Sequence, residues 1–180
     1  MIFRTLLHLL KSRRRTPLSV HDVGTVRLRV LPTDLDVLGH MNNGVYFSIM
    51  DLGRMDLMIR CGIWPKMRAR GIYPVMAMES MTFRKSLQPW QLFDLETRIV
   101  GYDEKGSAYA EQRFVVDGEI YAQAITRARF LRKGGVVTLD ELAEVTGVDV
   151  AGRTVPAWVA RWAADVALPT TKAAAPSTWV

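Results

Sequence analysis

The segment that most constrains this chain is GVYFSIMDLGRMDLMIR, residues 44–60, a run without proline that is apolar on nearly every side. A helix with no continuous polar face has to be surrounded, so the pattern predicts a helix in the middle of its domain with other elements wrapped around it. Its charges can pair along the helix, Asp51 with Arg54 at i,i+3 and Asp56 with Arg60 at i,i+4. The flanks say what surrounds it. TVRLRVLP alternates Val26, Leu28 and Val30 with Arg27 and Arg29, the period-two pattern of a half-buried strand over about 25–31 that Pro32 ends. Four further stretches have strand character, 74–85, 92–103, 107–117 and 119–132, separated by SLQPWQ, EKG and DG. Read as three hairpin connections, these predict an antiparallel meander. The expected class is therefore α+β, a curved antiparallel sheet wrapped around one central helix.

After Arg132 the pattern becomes helical. TLDELAEVTG carries a capping box, Thr138 with Glu141, and ends at Gly147; PAWVARWAADVAL places Pro156 at a helix start and Trp158 and Trp162 on one packing face. The expected organisation is an N-terminal segment over 1–19, a main domain over 20–134, a helical extension over 135–168 and a loose tail over 169–180, since 180 residues leave room for one main core. The N-terminal MIFRTLLHLLKSRRR is apolar and then basic, the reverse of a secretory signal, and about half the length of a membrane span. Ile2, Phe3, Leu6, Leu7, Leu9 and Leu10 suit a short amphipathic helix, so residues 1–15 are expected either to touch a membrane peripherally or to pack on the domain. Net charge is +6, but the basic residues are spread along the chain apart from KSRRR and are not interleaved with aromatics, which argues against a nucleic-acid partner. The single cysteine, Cys61, lies inside the apolar run with no neighbouring basic cluster to make a thiolate; it reads as a buried thiol in a reducing, cytoplasmic setting. His8, His21 and His40 are scattered, so neither a metal nor another cofactor is expected.

The loop PTDLDVLGHMNNG, residues 32–44, joins the first strand to the apolar helix. The first amides of a helix have no internal partners, so Asn42 or Asn43 is expected to cap it, with Gly44 allowing the turn. Asp34, Asp36 and His40 exceed what capping needs. Helix N-terminal amides also suit an oxygen on which negative charge builds, and a nearby carboxylate can activate water or attack a carbonyl itself. The loop offers both halves of a hydrolytic site.

The order of elements together with DLDVLGHMNNGVY resembles the hotdog-fold thioesterases of the 4-hydroxybenzoyl-CoA thioesterase type over roughly residues 22–133, and DLD…HMNN is similar to plant acyl-ACP thioesterases. The resemblance implies one helix wrapped by an antiparallel sheet, a homodimer or higher homo-oligomer paired edge to edge, and an acyl-CoA or acyl-ACP substrate in a tunnel at the interface. It implies that Asp36 is the catalytic carboxylate, that the amides of Asn43 and Gly44 polarise the thioester carbonyl, that His40 assists or orients, and that Asn42 orders the loop. Asp34 reads as structural, bonding loop amides. Two departures stand out: Leu38 where the acyl-ACP branch has asparagine, and Ser86 where it has glutamate. They favour a simpler arrangement of one carboxylate and the helix dipole. A phosphate-bearing carrier gives Arg84, Lys85 and Arg129 a purpose as a binding rim, beside Arg127, Arg132 and Lys133, although strand-end cations also serve as solvated edge residues. Met41, Met50, Met55, Met58, Met76 and Met78 are candidates for an adaptable acyl tunnel, most of them also needed as core. An acyl-thioester hydratase and a non-catalytic acyl-binding module are the competing readings.

Overall fold

The computed structural model describes residues 2–150 and 153–178. Along the chain run α1 (Ile2–Ser12), β1 (Gly24–Arg29), a short 3-10 turn (Pro32–Asp34), α2 (Asn43–Arg60), α3 (Ile63–Ala69), β2 (Tyr73–Phe83), β3 (Leu92–Tyr102), β4 (Ala108–Val116), β5 (Glu119–Arg132), β6 (Gly135–Val136), α4 (Leu139–Thr146) and α5 (Ala157–Asp165). The class is α+β, an antiparallel sheet in the order β1-β3-β4-β5-β2 with β6 added at the end of β5. Val26, Leu28, Phe93, Leu95, Phe114, Ala122 and Ala124 point from the sheet onto Tyr46, Ile49, Met50 and Leu52 of α2, and together they form the main core.

The expected meander is half right. β3, β4 and β5 follow one another through hairpins, and the DG turn has positive φ at both Asp117 (48°) and Gly118 (81°), the two-residue geometry whose twist matches antiparallel strands. SLQPWQ is no hairpin. It carries the chain across the sheet, so that β2 pairs with β5 on one edge while β3 pairs with β1 near the other. Its backbone is engaged elsewhere: Leu87 O accepts from Met41 N at 2.9 Å, Tyr46 OH accepts from Leu87 N at 3.2 Å, and Val30 exchanges hydrogen bonds with Trp90 and Gln91. The crossover therefore fastens the start of α2 to the end of β1.

One point fixes the depth of α2 against the sheet. Gly53 interrupts the helix where a Cβ would lie 2.5 Å from Thr97 Oγ1 and 2.8 Å from Leu95 Cδ2. Beside it the buried Gln112 donates to Met50 O and Thr97 Oγ1, both at 2.9 Å, and accepts from Arg54 at 2.8 Å. The helix is not enclosed on every side, contrary to the sequence expectation. Gly44, Ser48 and Asp51 are exposed, and Phe47, Met55 and Met58 are half-buried, a stripe at helical spacing next to the free edge of β2.

The terminal elements pack on this body. α1 lies against α2: Arg4 pairs with Asp34 at 2.7 Å, Ser12 donates to Asp56 at 2.7 Å and Arg15 reaches Asp56 at 3.2 Å. The side chains of Ile2, Phe3 and Leu6, counted in the expected apolar face, lie outside the described residues, while Leu7 and Leu10 are exposed. Thr138 caps α4 by accepting from Glu141 N, and Gly147 ends it. α5 lies on the outer face of the sheet through Val159 and Ala163, against Tyr109 and Ile125. Of the two tryptophans expected to pack, Trp162 does, half-buried against this cluster and donating to Ser80 Oγ at 2.9 Å, while Trp158 stays exposed. Residues 169–178 form no helix or strand.

Candidate active site

The loop ahead of α2 folds into a tight backbone-held turn. Asp36 N donates to His40 O at 3.0 Å, Gly39 N to Asp36 O at 3.1 Å and Asn42 N to Asp34 O at 2.8 Å, with Leu35 and Met41 bridged beneath. Asp34 is buried and structural, accepting from Leu31 N at 2.9 Å and from Arg4. Asp36 is different: one oxygen accepts from Leu38 N at 2.9 Å, and the other lies 3.7 Å from His40 Nδ1, too long for a direct hydrogen bond. That His40 nitrogen has no hydrogen-bond partner, so carboxylate and imidazole face each other across a gap. Asn42 is the N-cap, its side-chain oxygen accepting from Gly44 N at 2.8 Å. The cap uses the Gly44 amide, expected to be a carbonyl-polarising group, and leaves the Asn43 amide outside it. Asn42, Asn43 and Gly44 are solvent-exposed. A carboxylate together with a helix-terminal N–H that has no acceptor among the described residues suits addition of water to an acyl carbonyl. The tip of the turn exposes two aliphatic side chains, Val37 and Leu38.

The three cations predicted to bind phosphate are not in one place. Arg84 and Lys85 follow the end of β2 whose Phe83 packs edge-on against Tyr46 at the start of α2, and both pair with Glu119, Arg84 at 2.8 Å. Arg129 pairs in register with Val75, seven positions along β5 from Ala122, the partner of Phe83, which is roughly 23 Å at strand spacing. Arg127 is buried, bonded to Asp103 and Ser107, and Arg132 pairs with Glu141.

A partly open apolar pocket lies at the other end of α2. A cavity of about 140 Å³ lies between the C-terminal half of α2, α3 and the sheet, with α4 and Val148 on its far side. Met55, Met58, Met67 and Met76 line it; Met41 and Met50 belong to the main core, and Met78 faces α5. Along its polar side Arg54 pairs with Asp51 at 2.5 Å and with Glu79 at 3.0 Å. Burial pushes the Glu79 carboxyl above the usual carboxylate range against the pull of Arg54. The expected Asp51–Arg54 pair is present, but the reach of Arg54 to Glu79 and Gln112 escaped the sequence; an arginine beside a glycine inside an apolar helix was the available signal. Burial likewise raises the Cys61 thiol, at the C-cap of α2, above its ordinary value, which leaves it a poor nucleophile. Among the described residues no cluster of His, Cys, Asp and Glu is placed to hold a metal.

The family model described as the thioesterase-like superfamily matches residues 30–163. The chain belongs to that superfamily. Among curated relatives, Protein THEM6 of Xenopus laevis is 38% identical over 100 residues, 56% of this chain and 48% of that protein. A probable thioesterase of Saccharomyces cerevisiae, YBR096W, is 27% identical over 111 residues, 60% of this chain and 47% of that protein. The chain thus spans about half the length of these relatives. Among solved structures, the probable thioesterase YbaW of Escherichia coli superposes with a TM-score of 0.59 at 21% identity, covering 67% of this chain and 94% of its own. The sheet and central helix of this superfamily member are therefore those of the hotdog fold.

Proposed function

We propose that this thioesterase-superfamily protein hydrolyses an acyl-CoA or acyl-ACP thioester to a free acid and a thiol, as part of fatty acid metabolism. The reading is carried by one observation: the Asp36 carboxylate and the Asn43 amide, which lies outside the Asn42 cap, share a short, backbone-bonded, solvent-reachable segment at the start of α2. Asp36 takes a proton from water, and the resulting hydroxide adds to the thioester carbonyl. The Asn43 N–H holds the oxyanion, and the C–S bond breaks as the proton passes from Asp36 to the departing sulfur. His40, opposite Asp36, orients the carboxylate or the water, and Asn42 keeps the helix start in place. Arg84 and Lys85 meet carrier phosphates at the same end of the molecule by exchanging Glu119 for them.

The site works within a homodimer. The free edge of β2, the open stripe of α2 and the exposed Val37 and Leu38 all call for cover that a second copy supplies. A peripheral membrane contact through residues 1–15 is supported by Leu7 and Leu10, 58% and 60% exposed, next to exposed Lys11, Arg13 and Arg14. No helix among the described residues is long and apolar enough to cross a membrane.

Thiol release from butyryl-CoA and palmitoyl-CoA, wild type against Asp36→Asn, tests the reading. Turnover should fall by about a hundredfold or more in the variant, the scale of a lost general base. Equal rates in the two proteins remove Asp36 from the mechanism. Binding of acyl-CoA without thiol release in either protein replaces the hydrolase with a binding module, the reading that Leu38 and Ser86 favour.

A further inference from the structure

From the cavity behind α2 we infer that this protein acts on aliphatic acyl chains long enough to run along the helix, their far ends entering the space lined by Met55, Met58, Met67 and Met76. The inference rests on the hydrolase reading, because it places the thioester at the Asp36 turn. Protein interiors are packed like organic crystals, so a partly open pocket of about 140 Å³ between a helix and the sheet it packs on leaves room that a closed core would not. Its walls are hydrocarbon and thioether apart from the Asp51 and Arg54 side and a few threonine hydroxyls. A pocket with so largely apolar a lining favours apolar occupants. Four methionines give it flexible, polarisable walls that adapt to a chain of variable shape.

Distance selects the kind of acyl group. Arg54, at the polar side of the cavity, is eleven residues beyond Asn43, which is roughly 16 Å along the helix axis. An aromatic ring attached directly to the reacting carbonyl would stay beside Asn43; an alkyl chain of medium or greater length reaches the cavity. Charge selects the end that enters. The charged side chains of the lining are Asp51 and Arg54, and Arg54 is already committed to Asp51, Glu79 and Gln112, so a carboxylate-bearing end would find no free cation there. An uncharged methyl end needs none. The cavity ends against Leu142 and Thr146 of α4 with Val148, so the helical extension limits how far a chain can go.

The test uses the full chain labelled with [methyl-13C]methionine and titrated with dodecanol. The inference expects shifts at Met55, Met58, Met67 and Met76, with Met41 and Met50 in the main core unmoved, and loss of those shifts in Ala128→Leu, which narrows the cavity from β5. Ala110→Leu, from β4, serves if Ala128→Leu folds poorly. In parallel, kcat/KM for palmitoyl-CoA should drop by roughly tenfold or more in the narrowed variant while butyryl-CoA is unaffected, the usual scale of discrimination in an apolar pocket. Silent or uniform methyl shifts overturn the inference, as does an equal effect on both substrates. If no acyl-CoA is hydrolysed at all, the hydrolase reading fails, and the methyl shifts still decide whether the cavity takes an alkyl chain.

Discussion

The two ends of α2 are built from opposite materials. At its start, backbone hydrogen bonds close the 34–42 turn, Asn42 caps the helix and the polar groups lie in solvent. At its far half, methionines and aliphatic side chains line a partly open apolar pocket. The first end fixes orientation, which chemistry at a carbonyl needs; the second offers volume with adaptable walls, which hydrocarbon needs. What lets one helix serve both is the middle. Gly53 lets the helix backbone press against Thr97 and Leu95, and Gln112 ties Met50 O to the sheet, so the helix is fixed to the sheet between its two ends.

The strongest way to break this arrangement is to push at that point. An alanine normally stabilises a helix interior relative to glycine by about 1 kcal/mol. Here its methyl would meet Thr97 Oγ1 at 2.5 Å and Leu95 Cδ2 at 2.8 Å. Gly53→Ala should therefore destabilise by about 2 kcal/mol, as overpacking does, lowering the melting temperature by roughly 4–8 °C for a chain of this size. If the helix acts as one rigid rod, the variant should also disturb both the methionine methyls of the cavity and turnover at the Asp36 turn. A melting temperature at or above wild type would mean that the sheet yields easily and the two ends are independent.

Gly53 also marks the limit of what the sequence discloses. Period-two alternation and the DG turn located every main strand to within a residue or two, and the long apolar run located α2, because these patterns record burial directly. The Asp36 turn was legible for a different reason: its residues are adjacent in the chain, and capping chemistry dictates what they do. Contacts between distant segments left no such record. The crossover 86–91, the cavity shared by α2, α3 and α4, and the Arg54, Glu79 and Gln112 cluster each join residues more than twenty positions apart. α3 escaped too: a seven-residue helix with Pro65 inside it has too few turns for a periodic signal. Arg129 was grouped with Arg84 and Lys85 because all three end or follow strands; the β2–β5 register puts them at opposite ends.

A smaller perturbation sharpens the contrast from the polar end. Asn42→Ala removes the acceptor of the Gly44 amide and should cost about 1 kcal/mol, the usual value of an N-cap. Chemical denaturation measures the loss. The cavity methyls should keep their wild-type positions, because the cap lies two turns or more from the nearest cavity residue on α2, Asp51. If they move, the two ends of the helix share more than Gly53.

The smallest effect belongs to the cavity end and appears only in acid. Tyr102 and Ala108, which line the cavity, flank the β3–β4 turn, where Asp103 accepts from Ser107 N at 2.9 Å, Arg127 at 2.7 Å and Tyr109 OH at 3.1 Å. Burial alone would raise the Asp103 carboxyl, but the Ser107 amide, the Arg127 guanidinium and the Tyr109 hydroxyl outweigh it and hold it below the usual aspartate value. A carboxyl depressed in the folded state stabilises the fold at pH values above its unfolded pKa, and that contribution disappears as pH falls through the folded pKa. Wild type should therefore exceed Asp103→Asn in stability by a constant margin from neutral pH down to about 5, and the margin should narrow as pH falls below the ordinary aspartate pKa of about 3.9. Melting curves of the two proteins across that range read the difference. A margin that widens on acidification would mean that burial dominates at Asp103, and the clasp would then strain the cavity end instead of securing it.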